Sequence, residues 1–296
     1  MLKTKNFYVR QVITNMIMVI VTLITVLPVI LLFMASITSE RELVINGYSF
    51  IPKEFSLDAY AYILHNKSQI FRAYGFTIFV TIVGTLGNMV MSTTLAYGLT
   101  DRRLPFKRVI TFYIVFTMLF SGGLVPQYIM WSTIFKIRNT LLAYLLPNLL
   151  LSPMNVLLIR TYMRTNIPEA IYESGRIDGA NSIQLLTNVA LPLSKPILVT
   201  TGLFTGLNFW NDWTNGLYYI TDSKKFSIQT LLNRMILDLE EILNTAIANS
   251  SGSSVQIPTV SIRMAIAFVA LLPILIIYPF LQKYFQEGIT LGAVKG

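Results

Sequence analysis

Two stretches of this chain carry polar groups densely enough to do chemistry. In the first, "NFWNDW", Asn208, Asn211 and Asp212 stand beside the indole rings of Trp210 and Trp213. Indole faces pack on the CH faces of a sugar, and amide and carboxylate groups bond its hydroxyls. An acid inside an apolar segment is costly and marks a functional site by default. The plainer alternative pairs Asp212 with a neighbouring helix and leaves the tryptophans to pack or to sit at a membrane interface. The second stretch, "EAIYESGRIDGANSIQLLTNVALP" from Glu169 to Pro192, sets two glutamates, an arginine, an aspartate and two glycines in an otherwise oily sequence.

Neither stretch holds a catalytic pattern. There is no H-E-x-x-H, no nucleophile elbow, no His–carboxylate set and no phosphate loop. A membrane enzyme therefore finds no support in the sequence. Cysteine is absent and His65 is the single histidine, so no metal site or cofactor is expected. His65 falls in a loop, where a lone histidine is ordinarily solvent-facing.

The elements that must position these residues are membrane spans. The 296 residues are 54% hydrophobic and only 12% charged, with mean hydropathy +0.60. Soluble domains carry about 25% charged residues. The net charge of +9 fits cations flanking spans and meeting anionic lipid. No basic run with interleaved aromatics points to nucleic acid. Six stretches reach the roughly 20 apolar residues a spanning helix needs, near 12–37, 70–99, 109–131, 140–162, 196–220 and 262–284. The expected fold is an all-α integral membrane protein with six transmembrane helices. In the third span, "FSGGLVP" reads as a broken helix or as a close-packing spot, and packing is the preferred reading.

The basic N-terminal flank resembles that of a signal peptide. The apolar run is too long for one, however, so the first span is read as retained. The tight turn "DRRLPFKR" carries four cations and places itself, both termini and the 164–195 loop inside. Outside lie the loops near 38–69 and 221–261. The second opens with helical apolar spacing over 227–248, an amphipathic pattern, and "NSSGSSVQIP" then reads as a flexible link.

Read locally, Glu169 to Pro192 is two short helices around a turn. Pro168 suits a first helical turn, and Glu169 complements the positive helix end. Gly179 is the natural left-handed C-terminal cap, and Asn181 or Ser182 can cap the next helix. Ile183, Leu186 and Ala190 would form its apolar stripe. Ordered structure of this kind needs something to pack against. The plainer alternative is a solvated linker between two spans.

The segment resembles the conserved cytoplasmic loop of ABC importer permeases, E-A-A, three residues, G, nine residues, I-x-L-P. Here the positions are Glu173, Ser174 and Gly175, then Gly179, then Val189, Leu191 and Pro192. The spacing is intact, with Ser174 and Gly175 in place of both alanines and Val189 in place of isoleucine. Gly175 should loosen its helix by about 1 kcal/mol relative to alanine. "FIPKEFSLDAY", "SGGLVPQYIMW", "FWNDWTNGLYYI" and "LLPILIIYPFLQKYFQEGITLGAVKG" extend the likeness over nearly the whole chain. They point to the carbohydrate branch, the MalG-type permeases of the LplC-like polysaccharide and oligosaccharide group.

That resemblance implies a type I ABC importer permease fold. It implies an N-terminal region over 1–69, a permease core over 70–285 with its coupling loop at 164–195, and a cytoplasmic tail over 286–296. Glu169, Glu173, Ser174, Gly175, Asp178, Gly179, Ala180, Leu191 and Pro192 would dock on a separate ATPase. The partners implied are a second permease in a heterodimer, a cytoplasmic ATPase dimer, an extracellular solute-binding protein, a glycan and membrane lipids. The location implied is a bacterial inner membrane, multi-pass, with cytoplasmic termini. An ion-coupled secondary carrier is the alternative. It calls for several intramembrane ionisable groups, and Asp212 is nearly alone.

Overall fold

The computed structural model describes residues 5–65, 67–147, 150–249 and 259–293. Among these the regular structure is helical, apart from one isolated bridge between Thr38 and Phe55. The chain forms two compact units, residues 1–70 with 234–275 and residues 71–233 with 276–296.

In the first unit, α1 (Lys5–Ser36) presents every large apolar side chain from Val12 to Leu27 to the surroundings. Such a surface is stable only in lipid or against another chain. Two glutamates fix the segment that follows. Ser39 caps α2 (Glu40–Asn46) by accepting the Glu42 N–H. The Glu42 carboxylate accepts the N–H groups of Lys53 and Glu54, which holds its carboxyl below the usual carboxylate range. Glu40 accepts the N–H groups of Val260 and Ser261 at 2.9 and 2.8 Å. It thereby satisfies orphan donors at the start of the last helix. α3 (Asp58–His65) closes the segment, with His65 exposed as its loop position suggested.

The second unit is built on α4 (Lys67–Thr100), which is long and apolar enough to cross a membrane by itself, as is Arg10–Ser36 of α1. Two further bent pairs reach that length if each counts as one span. The third expected span is one of these pairs. α5 (Lys107–Leu119) and α6 (Leu124–Ile129), continued by a π turn to Ile134, meet at 112°. Close packing at "FSGG" is therefore corrected to a break. Gly123 stands at φ +84°, and a Cβ there would touch nothing within 4 Å. The glycine supplies a backbone conformation, not a contact.

The fourth expected span is also interrupted. α7 (Leu142–Leu145) ends before Pro147. A new helix, α8 (Pro153–Asn166), starts behind Ser152, whose hydroxyl accepts the Asn155 N–H. Its 14 residues reach about 21 Å, short of a core about 30 Å thick. The chain continues through α9 (Glu169–Ile177), α10 (Ser182–Leu185), a π turn over Leu186–Ala190 and α11 (Leu191–Leu193). It then turns by 83° into α12 (Lys195–Trp210) and α13 (Thr214–Tyr219). α14 (Ile228–Asn249) is the amphipathic helix expected over 227–248. α15 (Thr259–Ala293) carries helix through most of the expected 286–296 tail. The "NSSGSSVQIP" link runs into 250–258, which lies outside the described residues.

A buried polar knot ties α4, α8 and α12 together. The Asn155 amide donates to Asn88 Oδ1 at 3.1 Å and to Thr205 Oγ1 at 2.8 Å, and Ser92 adds a bond to Asn88. All four residues are buried. In an apolar medium such bonds fix helix register, because sliding would strand the amides. Asn155→Ala should lower the thermal stability of the purified protein by about 1–2 kcal/mol, read from a melting curve. An unchanged curve would remove the knot from the account of the bundle.

Candidate functional site

The stretch Glu169–Pro192 folds as a helical hairpin whose every turn is built. α9 ends in a Schellman arrangement: the Ala180 N–H reaches Gly175 O at 2.9 Å and the Gly179 N–H reaches Arg176 O at 3.1 Å. Gly179 takes φ +84°, as its position requires. Asn181 opens α10 with a reciprocal capping box. Its side chain accepts the Gln184 N–H, and the Gln184 side chain accepts the Asn181 N–H. Of the expected stripe, Ala190 is buried and Leu186 partly so. Ile183 instead stands 72% exposed and Leu185 takes the buried place. The π turn resets the phase of the helix, which a 3.6-residue count does not anticipate.

Gly175 faces Leu185 across the turn. A Cβ at Gly175 would sit 2.6 Å from Leu185 Cδ2, so its lack of a side chain lets the two helices close. Glu173 is exposed, and no ion pair claims it among the described residues. Ser174 turns its hydroxyl back to Ile171 O, and Asp178 is the exposed C-cap. Ala180 lies at the turn. Leu191 and Pro192 line an open, largely apolar cavity of about 520 Å³ with Met89, Thr93 and Lys195.

The hairpin is clamped to the turn between α4 and α5. Arg176 meets Asp101 at 3.1 Å with both side chains largely covered, and Arg102 meets Glu169 at 2.9 Å in the open. Tyr172, buried under the hairpin, lies 6.1 Å from the Tyr97 ring of α4. Burial pushes the Tyr172 hydroxyl up to about 12, so it stays protonated. Asp101, Arg102, Arg176 and Tyr172 carry this docking, and the sequence reading missed all of them. "DRRLPFKR" was legible as a charged turn but not as a clamp, because its partner lies 75 residues away.

The second polar stretch is divided by the fold. α12 stops at Trp210, so Asn208 and Asp212 do not share the face that an unbroken helix would give them. The Asn-Asp pair offers side-chain bonds that compete with the helix ladder. Asp212 Oδ1 accepts the Asn215 N–H at 3.1 Å and starts α13, while Oδ2 is buried without a hydrogen bond among the described residues. Trp210 turns inward, 6.3 Å from the Tyr74 ring. Asn208, Asn211 and Trp213 face outward, Asn211 with a long bond from Gln229. Gly84 of α4 packs directly on Phe209, where any Cβ would enter the ring.

Residues 94–291 match the family described as "Binding-protein-dependent transport system inner membrane component". The chain belongs to that family. It is 36% identical over 273 residues to Protein LplC of Bacillus subtilis (strain 168), covering 92% of this chain and 90% of that one. It is 36% identical over 274 residues to the polygalacturonan/rhamnogalacturonan transport system permease protein YtcP of the same organism, with 93% and 94% covered. Its fold superposes with a TM-score of 0.77 on a chain of a bacterial ABC transporter involved in the import of the acidic polysaccharide alginate. That pair shares 28% identity and covers 95% and 98% of the two chains. The permease fold read from the sequence is thus the fold observed, and an ion-coupled carrier finds no support.

Proposed function

We propose that this chain is one of two pore-forming permease subunits of an ATP-driven importer that brings oligosaccharides or polysaccharide fragments into a bacterial cell. The single observation that carries the reading is the hairpin 168–193. It is capped at both helices, closed by Gly175 and Gly179, and clamped to the base of α4, yet it leaves Glu173 and Asp178 exposed. A linker needs none of this. A docking element needs all of it, because only a stiff body transmits the movement of a partner to the spans.

In this reading the hairpin seats on a cytoplasmic ATPase dimer, a second permease completes the pore, and an extracellular binding protein delivers the glycan. The glycan class rests on the relatives named for such substrates. The six crossings are α1, α4, the bent α5–α6 pair, the segment 140–162, α12–α13 and α15. The membrane is a bacterial inner membrane, and both termini lie on its cytoplasmic side. ATP hydrolysis belongs to the partner ATPase. The outward-facing Asn208, Asn211 and Trp213, with Asp212 holding the break between α12 and α13, form the part of the lane that this subunit offers. Trp210 supports them from behind.

Three measurements test these assignments. Glu173→Lys and Gly179→Pro should each leave membrane insertion intact and weaken ATPase docking or cut substrate-stimulated ATPase in the reconstituted complex at least severalfold. Normal stimulation in both would sink the coupling role. Because the chain has no cysteine, a cysteine at Ser182 should resist an impermeant maleimide in intact cells, while one at Ser223 should label. The reverse pattern would invert the orientation. Finally, Asn208→Leu with Trp213→Ala should abolish uptake while assembly persists. Asp212→Ala should instead destabilise by about 1 kcal/mol through the lost cap. Wild-type uptake in the double variant would remove both residues from the lane.

A further inference from the structure

A cavity of about 300 Å³ opens where the hairpin meets the α4–α5 turn and the end of α8. Four cations line it: Arg102, Lys107, Arg164 and Arg176. The only acids in its lining, Asp101 and Glu169, already face Arg176 and Arg102. Arg164 stands one turn from Arg160 on α8, and no carboxylate pairs with either among the described residues. Like charges at that spacing repel. Lys107 feels both arginines and spends its ammonium on the carbonyls of Thr100 and Asp101, which leaves about one donor free. Tyr172 also lines the cavity. Its hydroxyl is buried, with the residue 6% exposed, and has no hydrogen-bond partner among the described residues. A buried donor without an acceptor, beside crowded cations, describes the complement of a multi-oxygen anion.

We infer that this cavity binds the phosphate of an anionic lipid headgroup. The lipid source rests on the orientation argued above, which puts the cavity at the cytoplasmic edge of the membrane. It is favoured over an acidic group of the ATPase by the neighbouring surface. On α5, directly after Lys107, Val109, Phe112 and Tyr113 are 62%, 69% and 67% exposed. That face suits acyl chains and leads the headgroup to the cations. The bound phosphate bridges Arg164 of α8 and Lys107 of α5 to Tyr172 of the hairpin, so it stiffens the hairpin's seat.

The test uses the assembled importer, delipidated and titrated with phosphatidylglycerol or phosphatidylcholine, with retained lipid counted by native mass spectrometry. Phosphatidylglycerol should be retained preferentially. Arg164→Gln and Tyr172→Phe should each reduce its occupancy roughly tenfold, the scale of one charge-assisted hydrogen bond. Tyr172→Phe is the sharper variant. If the hydroxyl were merely structural, removing an unsatisfied buried donor would leave lipid retention unchanged. Equal retention of both lipids, or wild-type retention in both variants, overturns the site. Saturation by inorganic phosphate without any lipid preference overturns the lipid source. Loss of the ATPase from Arg164→Glu with lipid retention unchanged assigns the cavity to the ATPase and overturns it as well. Glu173→Lys, outside the cavity, should retain lipid normally. Its effect on stimulated ATPase therefore reports the coupling role separately.

Discussion

Asp101 accepts Arg176 at 3.1 Å, and on that pair the hairpin's relation to the bundle depends. Exposed ion pairs contribute about 0–1 kcal/mol, and Arg102–Glu169 is of that kind, with Arg102 80% exposed. Arg176 and Asp101 are 24% and 30% exposed, so water screens them less. Asp101 is also held in place: its other oxygen accepts the Arg103 N–H, and Lys107 bonds the carbonyls of Thr100, the last residue of α4, and of Asp101 itself. A cation at a helix C-terminus complements the helix dipole. The terminus of α4, the turn after it and the hairpin are thus one charged assembly. The Arg176–Asp101 pair ties the hairpin directly to the end of α4.

Rigidity at that junction contrasts with the breaks elsewhere. α11 and α12 meet at an 83° elbow beside Ser194, and α5 and α6 meet at 112°. Between them the Asn155 knot holds α4, α8 and α12 at fixed register. A clamped hairpin and a hydrogen-bonded bundle centre thus stand beside elements that are sharply bent.

Much of this was legible in the sequence, and the boundary of legibility follows the range of the interactions. Gly179, Asn181 and Pro168 act within a few residues of themselves, so their types and spacing revealed the hairpin. Hydropathy revealed apolar stretches but not their interruptions. The break at Phe120–Gly123 depends on a positive φ at Gly123, while the same glycines satisfy a packing motif equally well on paper. The break after Trp210 depends on which of two competing bonds Asp212 makes. The clamp and the polar knot were illegible for another reason. Asp101 and Arg176, or Asn88 and Asn155, are 75 and 67 residues apart, and no local pattern joins them.

Gly175 shows how a local rule and a tertiary one reconcile at a single residue. By helix propensity alone, glycine in place of alanine costs about 1 kcal/mol, which reads as a defect in a hairpin that must be stiff. Across the turn, however, Leu185 is 2% exposed, and its Cδ2 lies where a Cβ of residue 175 would point. Burying a leucine is worth about 1.5–3 kcal/mol, more than the propensity lost. The carbonyl of Gly175 also accepts the Ala180 N–H that closes the turn. The residue that weakens α9 in isolation is therefore the one that lets α9 and α10 lock together. The departure from alanine thus keeps the hairpin closed.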